Sequence, residues 1–301
     1  MRSKLSLCAA WAAPVLLCAC SAGPPHARGT DASALPIDAS GVEPPDAGAP
    51  VFTDAGPTPD AEPPAEDVVV YAHSADTLYA FSPETRRVTT IGRFLDASGA
   101  PAPTMLDLAV DAAGTIYTSS AQALHRVDPT TARTTFVAAL ELDEGEELYA
   151  LSFVPPGVLD PSAEVMIGAS SAGVLYRVEP TSGAVVAIGA YPDGWASSGD
   201  IVSVVGVGTF ATLTREDHDS DVVAALDLDS SGRATVRVLG ECGHLELFGL
   251  GYWGHSLYGF TSAGELLEID RTTGAATVVS TSTGASEFYG AGVTTRAPVL
   301  I

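Results

Sequence analysis

Leu175-Tyr176-Arg177-Val178-Glu179-Pro180 runs into the turn Thr181-Ser182-Gly183 and then into a β-branched stretch. The same order of residue types stands at Leu78-Tyr79-Ala80-Phe81-Ser82-Pro83 and at Leu124-His125-Arg126-Val127-Asp128-Pro129. Looser copies are Ala225-Leu226-Asp227-Leu228 and Leu267-Glu268-Ile269-Asp270, the latter followed by the turn Thr272-Thr273-Gly274. With Phe81, Val127, Val178, Leu226 and Ile269 as markers, the steps are 46, 51, 48 and 43 residues. Short apolar runs closed by proline- or glycine-bearing turns describe strands and their exits. A period of this length, with four strands per unit, is what a β-propeller blade requires. No stretch of residues 67–301 keeps a 3.6-residue apolar period, so the expected fold is all-β with helix nearly absent.

The strand tally predicts how the ring closes. Only one strand, Val68 to Ser74, precedes the first copy, where later copies have two. One strand, Glu287 to Thr294, is left over after the last. A C-terminal strand that completes the first blade accounts for both and leaves no open sheet edge. The sequence therefore predicts five blades, with Phe288–Val293 beside Val68–Ala72.

The 301 residues carry 37 acidic and 14 basic side chains, a formal net charge of −23, which argues against nucleic acid as a partner. The chain has one lysine, Lys4, one glutamine, Gln122, and no asparagine. Chemistry that needs a lysine base or an asparagine ligand in the folded domain is thereby excluded.

Outside the repeats the sequence reads as an address and a spacer. Arg2 and Lys4 precede the thirteen mostly apolar residues Leu5 to Leu17, too short to span a bilayer and suited to a signal-peptide core. The segment ends in Leu17-Cys18-Ala19-Cys20. It resembles the bacterial lipobox, which implies lipidation of Cys20 and removal of residues 1–19; ordinary secretory cleavage near Ala19 or Ala22 is the other reading. Ser21 after Cys20 favours the outer over the inner membrane. Residues 20–66, rich in Pro, Ala and Asp, cannot bury enough apolar area to offset their ordering entropy, so a disordered tether is expected. The domain then occupies 67–301. Under the lipobox reading Cys242 is left alone, without an internal disulfide. The leucine-tyrosine-x-valine-aspartate-proline repeat resembles that of bacterial periplasmic propellers, including gluconolactonase-like ones, and implies a fold only.

In a propeller the first strand of each blade lines the central channel. Aligned there, Glu147-Leu-Tyr-Ala-Leu, Asp200-Ile-Val-Ser-Val, Glu246-Leu-Phe-Gly-Leu and Glu287-Phe-Tyr-Gly-Ala place a carboxylate at one position, with Asp107 three residues later in the second blade. Such a ring reads either as a ligand or cation site at the channel mouth or as solvated surface. Trp195, in a link near the mouth, reads either as a platform for a sugar or cation or as a cap on the core. Asp217, Asp219 and Asp221 alternate as at the start of a calcium loop, but Val222 and Leu228 stand where that loop needs glycine and glutamate; an acidic hairpin tip is the other reading. Cys242, His244 and Glu246 alternate along one link and are expected to be a half-buried thiol beside a surface histidine rather than a zinc or nucleophile site.

The function expected from these residues is a non-catalytic, lipid-anchored propeller. Its acidic mouth would meet a cationic ligand or an envelope protein. The alternative is a metal-dependent hydrolase or lactonase with calcium in the channel. Against it, gluconolactonase-like enzymes place an asparagine among their metal ligands.

Overall fold

The structure is a computed structural model; it describes residues 69–299 apart from residue 144. Cys20, the signal segment and the tether lie outside the described residues. The strands are β1 (Val70–His73), β2 (Thr77–Ser82) and β3 (Arg87–Arg93), then β4 (Met105–Val110), β5 (Ile116–Ser120), β6 (Ala123–Val127) and β7 (Thr134–Ala139). Next come β8 (Ala150–Val154), β9 (Val165–Ala169), β10 (Val174–Val178) and β11 (Val185–Ala190), followed by β12 (Ala196–Val204), β13 (Gly208–Thr214), β14 (Val222–Leu228) and β15 (Ala234–Glu241). The chain ends with β16 (Leu247–Trp253), β17 (Ser256–Thr261), β18 (Leu266–Asp270), β19 (Ala276–Ser280) and β20 (Gly290–Gly292). They form five antiparallel four-stranded sheets, each sequential except one, whose order is β20-β1-β2-β3. The fold is a five-bladed β-propeller, and no helix occurs among the described residues.

The repeated motif is the third strand of every blade. Phe81, Val127, Val178, Leu226 and Ile269 are all buried on β2, β6, β10, β14 and β18. The acid after the strand makes the turn: Asp128 accepts from the Thr130 and Thr131 amides at 2.9 Å, and Asp270 from the Thr272 and Thr273 amides at 2.8 Å. Hydrogen bonds to the charged form, the Thr130 hydroxyl foremost, lower Asp128 to about 2. The repeat thus records packing and turns.

The C-terminal strand closes the ring as predicted. Tyr71, Ala72 and His73 pair with Gly292, Ala291 and Gly290. Phe288, fully buried, locks the junction of blades one and five, with ring centroids 5.5 Å from Tyr79 and 5.2 Å from Phe260. Beyond β20 the chain continues past the ends of other blades. Thr294 bridges to Val110, the Val205 amide donates to the Thr295 carbonyl at 2.9 Å, and the Gly254 amide donates to Pro298 at 3.0 Å. The Thr295 hydroxyl bonds Glu164.

Candidate functional site

Two layers of side chains build the end of the channel where the blade-to-blade links enter. The outer layer is a cavity of about 530 Å³ to which every blade contributes. Leu106, Tyr149, Phe248 and Tyr289 line it from the starts of the innermost strands, beside Glu246, Glu287 and several serines. Tyr149 is 40% exposed, and its hydroxyl donates to Glu147 at 2.5 Å. Glu246 holds a left-handed backbone, φ 56°, a conformation that costs a side-chain-bearing residue about 1–2 kcal/mol. Both polar groups of Ser262 pin it there: the hydroxyl bonds its carboxylate and the amide donates to its carbonyl at 3.0 Å. No arginine, lysine or histidine is among the described residues that line the cavity.

One residue deeper lies a sealed neck. Asp107 of blade two and Asp200 of blade four are fully buried side by side. Asp107 accepts from the Leu151 amide of blade three at 2.6 Å. Asp200 accepts from the Leu250 amide of blade five at 2.7 Å and from the Ala291 amide of the closing strand at 3.2 Å. The two carboxylates thus tie together the innermost strands of all five blades. Burial raises both well above the ordinary carboxylate range, and their mutual repulsion adds to the shift at Asp107, so the pair holds a proton to higher pH than free carboxyls do. His73, also fully buried, donates from Nδ1 to the Ser74 carbonyl at 2.8 Å. Burial lowers it to about 4, leaving a neutral ring with Nε2 as an acceptor.

The neck is crowded by design of its small residues. Ala150, Gly249 and Gly290 precede Leu151, Leu250 and Ala291, the residues whose amides the two aspartates bind. A Cβ on Gly290 would overlap the Asp107 carboxylate and press on His73 Nε2.

The structure separates the predicted carboxylates into these two layers. Glu246 and Glu287 line the mouth and Glu147 stands behind it, bonded to the Tyr149 hydroxyl, each three residues before the neck position. Asp200 belongs with Asp107, and Ser197 takes its place in blade four, so two acids line the cavity itself among the described residues. The pairing of β12 with β13 shifts between Ser197 and Ile201, and that irregularity hides the register in the sequence. Trp195 is 6% exposed and does not line the cavity. It packs in the core under the Arg215 guanidinium, 4.1 Å from its ring centroid, and against His218 at 4.9 Å.

The alternating aspartates go to different partners. Asp217 pairs with Arg215 at 2.5 Å, which holds its carboxyl below the ordinary range, and Asp219 is exposed. Asp221 is buried, with its pKa raised by desolvation, and bonds the Ser198 hydroxyl and the Leu247 amide. It is a fastener between the mouth and the start of β16. Cys242 is buried, and burial pushes its thiol up to about 11; His244 faces Glu265 at 3.3 Å. No group of three metal-ligating side chains occurs among the described residues. The residues that sequence reasoning missed are His73, Phe248 and the ring faces of Tyr149 and Tyr289. The alignment on acids already sets Tyr149, Phe248 and Tyr289 in one column, two residues after Glu147, Glu246 and Glu287, and that recurrence of aromatic residues is the available signal; nothing in it points to His73.

No protein-family model matches the chain, and no curated protein matches it. Among solved structures it is similar to regucalcin, a calcium-binding protein from Agrobacterium tumefaciens, at 16% identity and a TM-score of 0.41, over 68% of this chain and 66% of that one. BamB from Moraxella catarrhalis matches at 13% identity and a TM-score of 0.31, over 71% and 70%. A protein of unknown function from Bacteroides caccae matches at 9% and 0.39, over 71% and 72%. Similarity at this level assigns neither a ligand nor an activity.

Proposed function

We propose that the protein is a non-catalytic binding propeller held at the cell envelope, lipid-anchored through Cys20, with the outer membrane preferred. Its channel mouth is the contact surface for a cationic ligand or a basic patch on an envelope protein. The observation that carries this reading is the mouth cavity itself. All five blades feed it, carboxylates and aromatic rings line it, and no cationic side chain neutralises it among the described residues. The deeper carboxylates are sealed, and each binds a backbone amide of another blade, which suits structure rather than turnover.

The test is photo-crosslinking in isolated envelopes, with a benzophenone amino acid at Ser171, exposed on the mouth wall, and at Thr235, exposed on the outer strand β15. A discrete adduct from Ser171 alone, fading between about 50 and 500 mM salt as screened charge pairing must, is the expected result. Equal yields from both positions, or an adduct indifferent to salt, would sink the reading.

A further inference from the structure

We infer that the mouth recognises an organic cation, an alkylated ammonium group, through the faces of Tyr149, Phe248 and Tyr289 together with the carboxylates of Glu246 and Glu287. The inference rests on the proposed role of the mouth and names the ligand class that mouth is built for.

The rings are available. None of the three stacks on another aromatic ring among the described residues. Neither arginine–ring stack found there uses them, since Arg126 lies over Tyr117 and Arg215 over Trp195. The Tyr149 hydroxyl is occupied by Glu147, which fixes the phenol by its edge. The Tyr289 backbone is anchored where its amide donates to the His73 carbonyl at 2.7 Å. A ring fixed before a ligand arrives, as the Tyr149 phenol is, loses little conformational entropy on binding.

The carboxylates differ in a way that suits a spread positive charge. Glu287, half-buried, has no side-chain hydrogen-bond partner among the described residues. Glu246 is held in a strained backbone by Ser262, which aims it rather than neutralises it. A bare metal ion favours several charged ligands converging on one point, and no group of three His, Cys, Asp or Glu side chains does so among the described residues. An ammonium with methyl substituents asks for apolar ring faces and for charge at longer range, which is what this lining offers. A cavity of about 530 Å³ is in the size range of small-molecule sites. An anion would meet two carboxylates there and, among the described residues, no cationic side chain, and a neutral sugar would leave the carboxylates uncompensated.

Choline and its neutral carbon isostere, 3,3-dimethylbutan-1-ol, are the probes, titrated into the full-length protein and followed by ligand-observed NMR. The expected result is choline binding with a Kd of about 1 mM and the isostere about tenfold weaker. Glu287→Gln should weaken choline about five- to tenfold and leave the isostere unchanged, and Tyr289→Leu should weaken choline about tenfold. Unchanged melting temperatures identify variants that still fold. Equal binding of the two probes, or choline binding that survives Glu246→Gln with Glu287→Gln, would overturn the inference. Absence of choline binding alongside a salt-sensitive crosslink from Ser171 would overturn it and leave the mouth as a protein contact; absence of both would remove the broader reading too.

Discussion

His73 Nε2 faces Asp107 Oδ1 at 3.8 Å inside the sealed neck, and neither atom has a hydrogen-bond partner among the described residues. Two lone-pair-bearing atoms turned toward one another are tolerable only if a proton lies between them. The raised carboxyl pair and the depressed imidazole agree that the proton sits on the carboxyl side.

The two shifts tilt stability in opposite directions with pH. The unfolded chain protonates His73 below about 6.5 while the folded protein does not. That contribution is complete above 6.5 and is lost as pH falls toward 4. The unfolded chain releases the carboxyl protons above about 4 while the folded pair keeps one. That contribution is complete below 4 and is lost as pH rises through the raised value. Asp107→Asn removes the second effect, because its amide oxygen can still accept from Leu151 while its NH2 faces His73. Urea unfolding should find the variant about 1–3 kcal/mol more stable than the parent at pH 8, with a steeper loss between pH 6.5 and 4. A variant less stable than the parent at pH 8 would mean that Asp107 is ionised in the neck.

Gly290 should be irreplaceable for a reason of space alone. Gly290→Ala drives a methyl group into the Asp107 carboxylate and should cost about 3 kcal/mol. In an Asp107→Ala background the same change should cost much less, a coupling that a double-mutant cycle reads directly. Equal costs in both backgrounds would show that the clash is relieved elsewhere.

The closing strand is held by Phe288 as much as by its hydrogen bonds. Phe288→Ala removes a fully buried ring packed on Tyr79 and Phe260, at a cost of about 3–5 kcal/mol. The denaturation midpoint should fall by that free energy divided by the slope, with the slope itself unchanged. A shallower slope would mean instead that blade one opens separately.

Cys242 should be inert while the protein is folded. Its thiol is buried and pushed up to about 11, so little thiolate exists at pH 8. Peptide mapping after iodoacetamide treatment should find Cys242 unmodified in the native protein and alkylated in urea. Rapid native alkylation would reopen a nucleophilic role for it.

The blade count and the closure were legible because buried strands and turns repeat: five markers at similar spacing need no tertiary knowledge. The mouth was legible in half. Glu246 and Glu287 announce themselves as acids at strand starts, whereas Tyr149, Phe248 and Tyr289 read as ordinary strand residues until five blades bring them together. Asp200 was placed one layer too high because the irregular start of β12 breaks the count. Asp221 and Trp195 look like ligand-seeking residues in the sequence, and only their burial shows that a serine, an amide and an arginine already satisfy them. His73 gave no signal, since its partner Asp107 lies on another blade.

The path of residues 288–298 also orders the protein's birth. Residues 288–298 follow all the other strands of the ring in the chain, and until they are made β1 has one unpaired edge and the ring has no latch. Every intermediate shorter than that is an open fan of sheets, attractive to chaperones and to proteases alike. The closing strand therefore acts as a proof of completion for the ring: only a chain that already carries it can hide the seam.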